Sequence, residues 1–135
     1  MLGLINIKDE STQGNVVDIL IKHEADVNLT DNRGISALLL ASKKGNVQCV
    51  KKLLGYKADS NQRDNNGSTA LMLAVFNIKD ETKQEKVVDI LIKHEADVNL
   101  TDNCGISVLQ FASARRNVRI LKKLLDNGAD INHRD

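Results

Sequence analysis

The stretch Val16-Val-Asp-Ile-Leu-Ile-Lys-His-Glu-Ala-Asp-Val-Asn-Leu-Thr-Asp-Asn32 occurs a second time, without change, from Val87 to Asn103. The similarity extends beyond this stretch: when residues 72–135 are aligned with residues 1–64, about 42 of the 64 positions are identical. Internal repetition of this kind indicates an array of one structural unit, in which each unit buries its apolar face against its neighbours.

A shorter period lies inside the long one. The motif Ala-Asp-x-Asn starts at Ala25, Ala58, Ala96 and Ala129, so its spacings are 33, 38 and 33 residues. Between these motifs, Asp-Asn-x-Gly starts at Asp31, Asp64 and Asp102. The sequence therefore predicts one domain over 1–135 with a basic unit of 33 residues. Its four units are 1–30, which is partial, 31–63, 64–101 with a five-residue insertion, and 102–134.

Each unit has the pattern of a turn, a helix, a second turn and a second helix. Ser36 can cap a helix that Gly45 ends, and the next helix carries an apolar stripe on one face. The stripe consists of Cys49, Val50, Leu53 and Leu54, and its counterparts are Val16, Val17, Leu20 and Ile21, then Val87, Val88, Leu91 and Ile92, then Ile120, Leu121, Leu124 and Leu125. A single helix pair cannot bury such a face, so we predict an all-α solenoid of stacked helix pairs.

These motifs resemble those of the ankyrin-repeat family, which combines a 33-residue period with Gly-x-Thr-Pro-Leu-x-x-Ala and Gly-Ala-Asp-x-Asn. The matching stretches are Gly34-Ile-Ser-Ala-Leu-Leu-Leu-Ala41, Gly67-Ser-Thr-Ala-Leu-Met-Leu-Ala74, Gly105-Ile-Ser-Val-Leu-Gln-Phe-Ala112 and Gly128-Ala-Asp-Ile-Asn132. The resemblance covers essentially the whole chain. It implies an ankyrin-type α-solenoid whose helix-turn-helix units are joined by hairpin-like loops, and whose function is to bind another protein.

The chain departs from the family pattern at the glycine that ends each second helix. Only Gly128 is kept, and Glu24, Lys57 and Glu95 stand at the other three positions. If these side chains adopt the left-handed conformation, each costs about 1 kcal/mol relative to glycine. The insertion lies at 78–84, and we expect it to form a longer polar turn between two helices. The alternative is a surface loop that contributes to binding.

Neither end of the array has the polar outer face of a capping repeat. In the alignment of the copies, Met1 falls inside a first helix and Asp135 corresponds to the first residue of another unit. The preferred interpretation is a piece of a longer array. The alternative is an array whose ends pack against a partner or against another copy of the chain.

Composition and motifs argue against several classes of function. The net charge of +1 is too small to indicate nucleic acid or a membrane surface, and no apolar run approaches the ~20 residues that span a bilayer. Cys49 and Cys104 lie far apart, which suits unpaired thiols and a cytoplasmic location, with the nucleus as the alternative. Because acidic residues recur in every unit at the turns, we assign them to turn formation. We therefore predict no catalytic residue, metal site, cofactor or small-molecule substrate.

The family resemblance implies a concave groove formed by hairpin tips and first helices. Carried onto this chain, its lining is Asn32, Arg33, Ile35, Lys43, Lys44 and Arg63 in the second unit, Asn65, Asn66, Ser68, Phe76 and Asn77 in the third, and Asn103, Cys104, Ile106, Ala114 and Arg115 in the fourth. The charged members are all basic, and Phe76 is the one aromatic residue. Aromatic and Arg side chains are the usual hot spots of interfaces.

Formal charge alternates along the array. It sums to −3 over 1–30, +5 over 31–63, −3 over 64–101 and +3 over 102–134, and Asp135 closes the total to +1. Our hypothesis is that the groove binds an acidic segment of a partner protein, centred on the second and third units. One alternative is that these charges only keep the array soluble. Another is a structural spacer, or a scaffold that self-associates through its uncapped ends. We do not expect nucleic-acid binding, because no aromatic residues interleave with the basic ones.

Overall fold

The computed structural model describes residues 15, 17–19, 21–23 and 26–131 of the chain. Six helices have both ends in this part: α1 (Ala37–Lys44), α2 (Val47–Gly55), α3 (Ala70–Asn77), α4 (Glu81–Lys93), α5 (Val108–Ala114) and α6 (Val118–Asp126). The described residues between 15 and 22 are helical as well. Within the described ranges, β-structure is limited to one isolated bridge between Thr101 and Ser107. The predicted all-α solenoid is confirmed.

The first helix of the second, third and fourth units begins at a hydroxyl side chain. Ser36, Thr69 and Ser107 each accept a hydrogen bond, 3.3 Å long, from the backbone N–H three residues later. At the start of α5 the cap is reciprocal, because the Gln110 side chain accepts from the Ser107 N–H at 2.8 Å. Such caps satisfy N–H groups that have no partner inside the helix. The helices therefore start at the expected positions although the family's proline is absent.

The helices stack in two layers. The first helices form one layer, in which α3 packs between α1 and α5, and each of these helices also packs against the second helix of its own unit. The second helices form the other layer, in which α4 packs on α2. The apolar stripe of α2 is buried throughout, with Leu54 only 4% exposed. Its counterpart in α6, Leu125, is 41% exposed, because no further unit covers α6 in the part of the chain that the structure describes.

Among the residues that the structure describes, three other than glycine lie in the left-handed region of the backbone. Lys57 has a φ of 65° and Glu95 has a φ of 68°, as predicted from the missing glycines, whereas Glu24 lies outside the described residues. The third is Arg116, with a φ of 55°, which was not predicted. It occupies the position of Gly45, where the second unit has a φ of 74°. A Cβ at Gly45 would lie 3.2 Å from the Ile78 side chain, which would have to shift by a few tenths of an ångström, so the site favours glycine through this contact and its positive φ.

The insertion does not form the longer turn that we expected. It lengthens the second helix instead, because α4 has 13 residues where α2 and α6 have nine. Asp80 caps α4 by accepting from the Lys83 N–H at 3.1 Å. The buried Gln84 side chain donates to the Val75 carbonyl at 2.9 Å and accepts from the Asn117 side-chain amide at 2.7 Å. The added turn thus joins the end of α3 to the fourth unit.

Hydrogen bonds between hairpins link successive units. The backbone N–H of Asn65 donates to the Arg33 carbonyl at 2.9 Å, and that of Asn103 donates to the Asn66 carbonyl at 3.0 Å. Within each hairpin, the first aspartate accepts two backbone N–H groups. Asp31 accepts from the backbone N–H groups of Ile35 and Arg33. These hydrogen bonds, of which the one from Ile35 has the larger effect, hold the pKa of the Asp31 carboxyl below its ordinary value. The assignment of the recurring acidic residues to turn formation is confirmed for these hairpins.

A second row of contacts follows the Ala-Asp-x-Asn turns. The side-chain oxygens of Asn28, Asn61 and Asn99 accept the backbone N–H of an aspartate in the following unit, and these aspartates are Asp59, Asp97 and Asp130. The distances lie between 2.7 and 2.9 Å. The amide therefore recurs once per unit because each unit must bind the backbone of the next.

Ion pairs connect the outer helices α4 and α6. Glu85 contacts Arg119 at 3.1 Å and Lys123 at 3.3 Å, and Lys123 also contacts Asp89 at 2.9 Å. The hydrogen bond from Arg119 lowers the pKa of the Glu85 carboxyl. The hydrogen bond that Lys123 donates to Asp89 raises the pKa of the Lys123 ammonium. The Lys123–Asp89 pair has a counterpart 71 residues earlier, where Lys52 pairs with Asp18. These pairs are partly exposed, so salt weakens them.

We expect the Glu85 pair to give the array an acid-sensitive part of its stability. Because the folded pKa of Glu85 is lowered, its contribution is present above the ordinary glutamate pKa of about 4.3. The contribution is lost as the pH falls through the lowered value. Urea unfolding from neutral to acid pH should therefore show wild type more stable than Glu85→Gln at neutral pH, with the difference vanishing in acid. A difference that is independent of pH would contradict this.

Candidate functional site

A depression of about 550 Å³ lies on the hairpin side of the first helices. Its size falls within the range of roughly 300–1,000 Å³ that is typical of ligand pockets. Its lining residues come from the second, third and fourth units, and we call this set the groove pocket. They are Arg33, Ile35, Lys43, Asp64, Asn65, Asn66, Ser68, Met72, Leu73, Phe76, Asn77, Asp102 and Phe111.

The groove pocket brings together eight of the residues that the sequence placed in the groove, namely Arg33, Ile35, Lys43, Asn65, Asn66, Ser68, Phe76 and Asn77. The other predicted positions do not line it, and these are Asn32, Lys44, Arg63, Asn103, Cys104, Ile106, Ala114 and Arg115. The gathered residues are those of the second and third units. The fourth unit contributes Asp102 and Phe111 instead of the side chains that we expected from it.

Several predicted groove residues also hold the fold together. The Asn65 side-chain amide donates to the Asn32 carbonyl at 2.9 Å, and that of Asn103 donates to the Asn65 carbonyl at 2.8 Å. Arg115 donates to the Phe76 carbonyl at 3.1 Å, close to the end of α3. The side chains of the asparagines are therefore partly used between hairpins. Their role in binding a partner stays a prediction.

Two phenylalanines form the aromatic part of the groove pocket. The rings of Phe76 and Phe111 meet edge to face, with centroids 5.4 Å apart and an interplanar angle of 69°. Phe76 is 52% exposed, whereas Phe111 is half-buried. Sequence reasoning missed Phe111, whose equivalent positions hold Leu40 and Leu73 and which the family resemblance did not place in the groove. The usable signal was that these are the chain's only two phenylalanines.

The charges of the groove pocket are arranged by unit. Arg33 and Lys43, both exposed, belong to the second unit. Asp64 and Asp102, which sequence reasoning had left to the turns, line the pocket as well. Each of these carboxylates is half-buried and accepts two backbone N–H groups of its own hairpin at 2.9 Å. One side of the pocket therefore presents exposed basic side chains, and the other presents carboxylates whose charge the backbone partly offsets.

A second depression, of about 600 Å³, lies between the start of α4 and the turn from α5 to α6. Its basic residues include Arg116, Arg119 and Lys122, and its acidic residues are Glu81 and Glu85. Glu85 is already paired with Arg119. Five basic residues line this depression against two acidic ones, and two of the five are engaged within the fold, Arg119 with Glu85 and Arg115 with the Phe76 carbonyl.

The chemistry of the remaining reactive groups is plain. Cys49 is buried in the stripe of α2 and Cys104 is exposed at a hairpin tip, and neither forms a disulfide bond. Among the described residues, no three His, Cys, Asp or Glu side chains lie close enough to hold a metal ion together. Nor does the described part contain a helix with the length and apolar character needed to cross a membrane.

Two comparisons, with protein-family models and with individual proteins, both find ankyrin repeats. Two family models, both described as ankyrin repeats, match residues 8–102 and residues 81–125. The chain is 38% identical over 131 residues to the putative ankyrin repeat protein FPV031 of fowlpox virus, a match that covers 93% of this chain and 37% of that protein. It is 33% identical over 115 residues to palmitoyltransferase AKR1 of Lachancea kluyveri, covering 85% of this chain and 16% of that protein.

A third relative is the putative ankyrin repeat protein L371 of Acanthamoeba polyphaga mimivirus. It is 32% identical over 123 residues, which cover 87% of this chain and 15% of that protein. The chain thus spans between 15 and 37% of the length of these three relatives. The transferase activity in the name of the Lachancea protein belongs to a protein of which this chain matches only a small part.

Proposed function

Because the chain belongs to the ankyrin-repeat family, whose repeats generally mediate binding between proteins, we propose that it is an interaction module whose groove pocket takes an acidic segment of a partner protein. The observation that carries the proposal is the meeting of two exposed basic side chains, Arg33 and Lys43, with an exposed aromatic ring, Phe76, in one depression. Aromatic residues and arginine are the types that contribute most to binding at interfaces.

The distribution of charge supports an acidic partner. The second unit has a formal charge of +5, and the units on either side of it have −3 each. A basic band between acidic ones attracts a carboxylate-rich segment and sets its position along the array. The groove pocket also contains two carboxylates, Asp64 and Asp102. In each, one oxygen accepts hydrogen bonds from two backbone N–H groups, so these carboxylates repel an acidic segment less strongly.

The proposal includes no catalytic role. The acidic residues that a catalytic site would need recur once per unit and bind the backbone of turns. A cytoplasmic location is part of the proposal, with the nucleus as the alternative, because neither of the two cysteines forms a disulfide bond.

Reversing the two basic charges of the groove pocket should weaken binding of an acidic probe. We expect Arg33→Glu/Lys43→Glu to bind a fluorescein-labelled decaglutamate peptide at least about tenfold less tightly, measured by fluorescence polarisation, because about 1.4 kcal/mol corresponds to tenfold. The matched control is Lys51→Glu/Lys86→Glu, which changes the net charge equally at exposed positions outside the groove pocket. Equal weakening by both variants would show attraction to net charge alone and would overturn the proposal.

A second candidate function is end-to-end association. One observation favours it: the C-terminal face of α6 exposes Val118 and Leu125, whereas Leu54, at the position of Leu125 in the second unit, is covered by the third. Because residues 87–103 repeat 16–32, the first unit of another copy carries the stripe that covers Leu54 within the array. Sedimentation velocity should then show a mass that rises with concentration and that Leu125→Lys returns to the monomer. A monomer at all concentrations would contradict it.

A further inference from the structure

We infer that the groove pocket recognises a two-part motif, in which one large apolar side chain of the partner sits on Phe76 and Phe111 and a neighbouring carboxylate meets Arg33 and Lys43. The inference rests on the proposed function and specifies its partner. It requires that apolar and basic groups occupy separate parts of one depression, and the described side chains meet this requirement.

The apolar part is formed by α3 and α5. Met72, Leu73 and Phe76 come from α3, and Phe111 comes from α5. Met72 is only 2% exposed and therefore forms a fixed floor, whereas Phe76 leaves about half of its surface to solvent. A partner side chain that covers this surface removes apolar area from water on both molecules.

The aromatic ring is held in position before any partner arrives. Phe111 supports one side of the Phe76 ring in the edge-to-face geometry that aromatic pairs prefer. Arg115 from the fourth unit binds the Phe76 carbonyl, which fixes the backbone of the same residue. A ring that is already ordered loses little conformational entropy on binding, so its exposed surface contributes more to affinity.

The basic part lies on one side of this aromatic pair. Arg33 is at the hairpin tip of the second unit and Lys43 is in the last turn of α1, so both belong to the unit before Phe76. On the opposite side, Asp102 opens the hairpin of the fourth unit. Within the pocket, a partner carboxylate is therefore attracted to Arg33 and Lys43 and disfavoured beside Asp102. This asymmetry places the acidic residue and the apolar residue in a defined order.

The test uses three fluorescein-labelled peptides of nine residues. The first has eight glutamates around a central phenylalanine, the second has alanine in the centre, and the third keeps the phenylalanine but has glutamine for every glutamate. We expect the first to bind at least about tenfold more tightly than the second, because a buried aromatic side chain contributes well over the free energy of a tenfold change. We expect the third to bind at least about tenfold more weakly than the first, because it lacks the carboxylates that meet the basic part.

Variants of the protein assign each part of the motif. Phe76→Ala should abolish the difference between the phenylalanine and alanine peptides. The matched control is Tyr56→Ala, which removes an aromatic side chain of similar exposure, 48%, from outside the groove pocket and should leave the difference intact. Circular dichroism confirms that each variant is folded before binding is compared.

The outcomes separate this inference from the proposed function. If the phenylalanine and alanine peptides bind wild type equally, and Arg33→Glu/Lys43→Glu still abolishes binding, the two-part motif is overturned while the acidic partner stands. If the phenylalanine peptide binds more tightly but Phe76→Ala does not change this, the apolar part lies elsewhere and the inference is also overturned. If charge reversal changes nothing, the proposed function fails as well.

Discussion

Leu54→Ala is expected to lower the free energy of unfolding by about 2–5 kcal/mol, the usual loss when a buried leucine is truncated. The side chain is 4% exposed and belongs to the core that α2 forms with the third unit. The matched variant is Leu125→Ala, which removes the same atoms at the same position of the unit 71 residues later. Because Leu125 is 41% exposed, its truncation should cost at most about half as much.

Urea unfolding of both variants and of wild type measures the two losses side by side. The comparison isolates the neighbour's contribution, because the two leucines hold the same position in their units and only Leu54 is covered by a further unit. Equal losses would mean that a unit buries its leucine by itself. The stacking of units would then not be the source of stability.

Gly67→Ala is expected to lower the free energy of unfolding by about 3 kcal/mol, from backbone strain and lost hydrogen bonds together. Gly67 has a φ of 79°, and a Cβ there would lie 2.5 Å from the Asn103 side-chain oxygen and 2.7 Å from the Asn103 backbone nitrogen. The left-handed conformation costs an alanine about 1–2 kcal/mol. The clash also displaces the two hydrogen bonds that Asn103 donates to the preceding hairpin, at about 1 kcal/mol each.

Two other glycines separate conformational strain from the clash. Gly128 has a φ of 91° with no atom within 4 Å of a Cβ, so Gly128→Ala should lose only the cost of the conformation. Gly55 ends α2 with open space around it, and Gly55→Ala should gain up to about 1 kcal/mol. Urea unfolding ranks the three variants. If Gly67→Ala costs no more than Gly128→Ala, the hairpins do not depend on this close approach.

The stacking of helix pairs could be predicted from sequence because it repeats. Cys49, Val50, Leu53 and Leu54 form a stripe that four units share, and only a neighbouring unit can cover it. The left-handed positions were predictable for the same reason, since Lys57 and Glu95 stand where Gly128 stands in the last unit. A pattern present in every unit identifies what every unit needs.

Features that occur in one unit alone could not be predicted from the repeated pattern. The insertion forms a helical turn because Gln84 finds carbonyl and amide partners in α3 and the fourth unit, and no local pattern announces these contacts. Phe111 enters the groove pocket from a position that is leucine in the other units. Arg116 adopts a positive φ where the second unit has glycine. The partners of Gln84 and Phe111 include residues of a neighbouring unit, which the sequence of one unit does not contain.

The candidate groove was predicted in part for a related reason. Its residues in the second and third units meet as expected, because hairpin tips and first helices lie at fixed places in each unit. The carboxylates of Asp64 and Asp102 were assigned to the turns, and the structure shows that they do both: they bind the turn backbone and they line the groove pocket. A residue explained by the fold is easily omitted from a site.

Hydrogen exchange at the backbone amides of Asn65 and Asn103 tests the central claim, that neighbouring units hold each other in place, most directly. Both residues are exposed and lie outside the helices, and their N–H groups donate to carbonyls of the preceding hairpin, on Arg33 and Asn66. We predict slow exchange at both amides, limited by separation of the units. Exchange at the rate of an unstructured peptide, while the helix amides stay protected, would contradict the account.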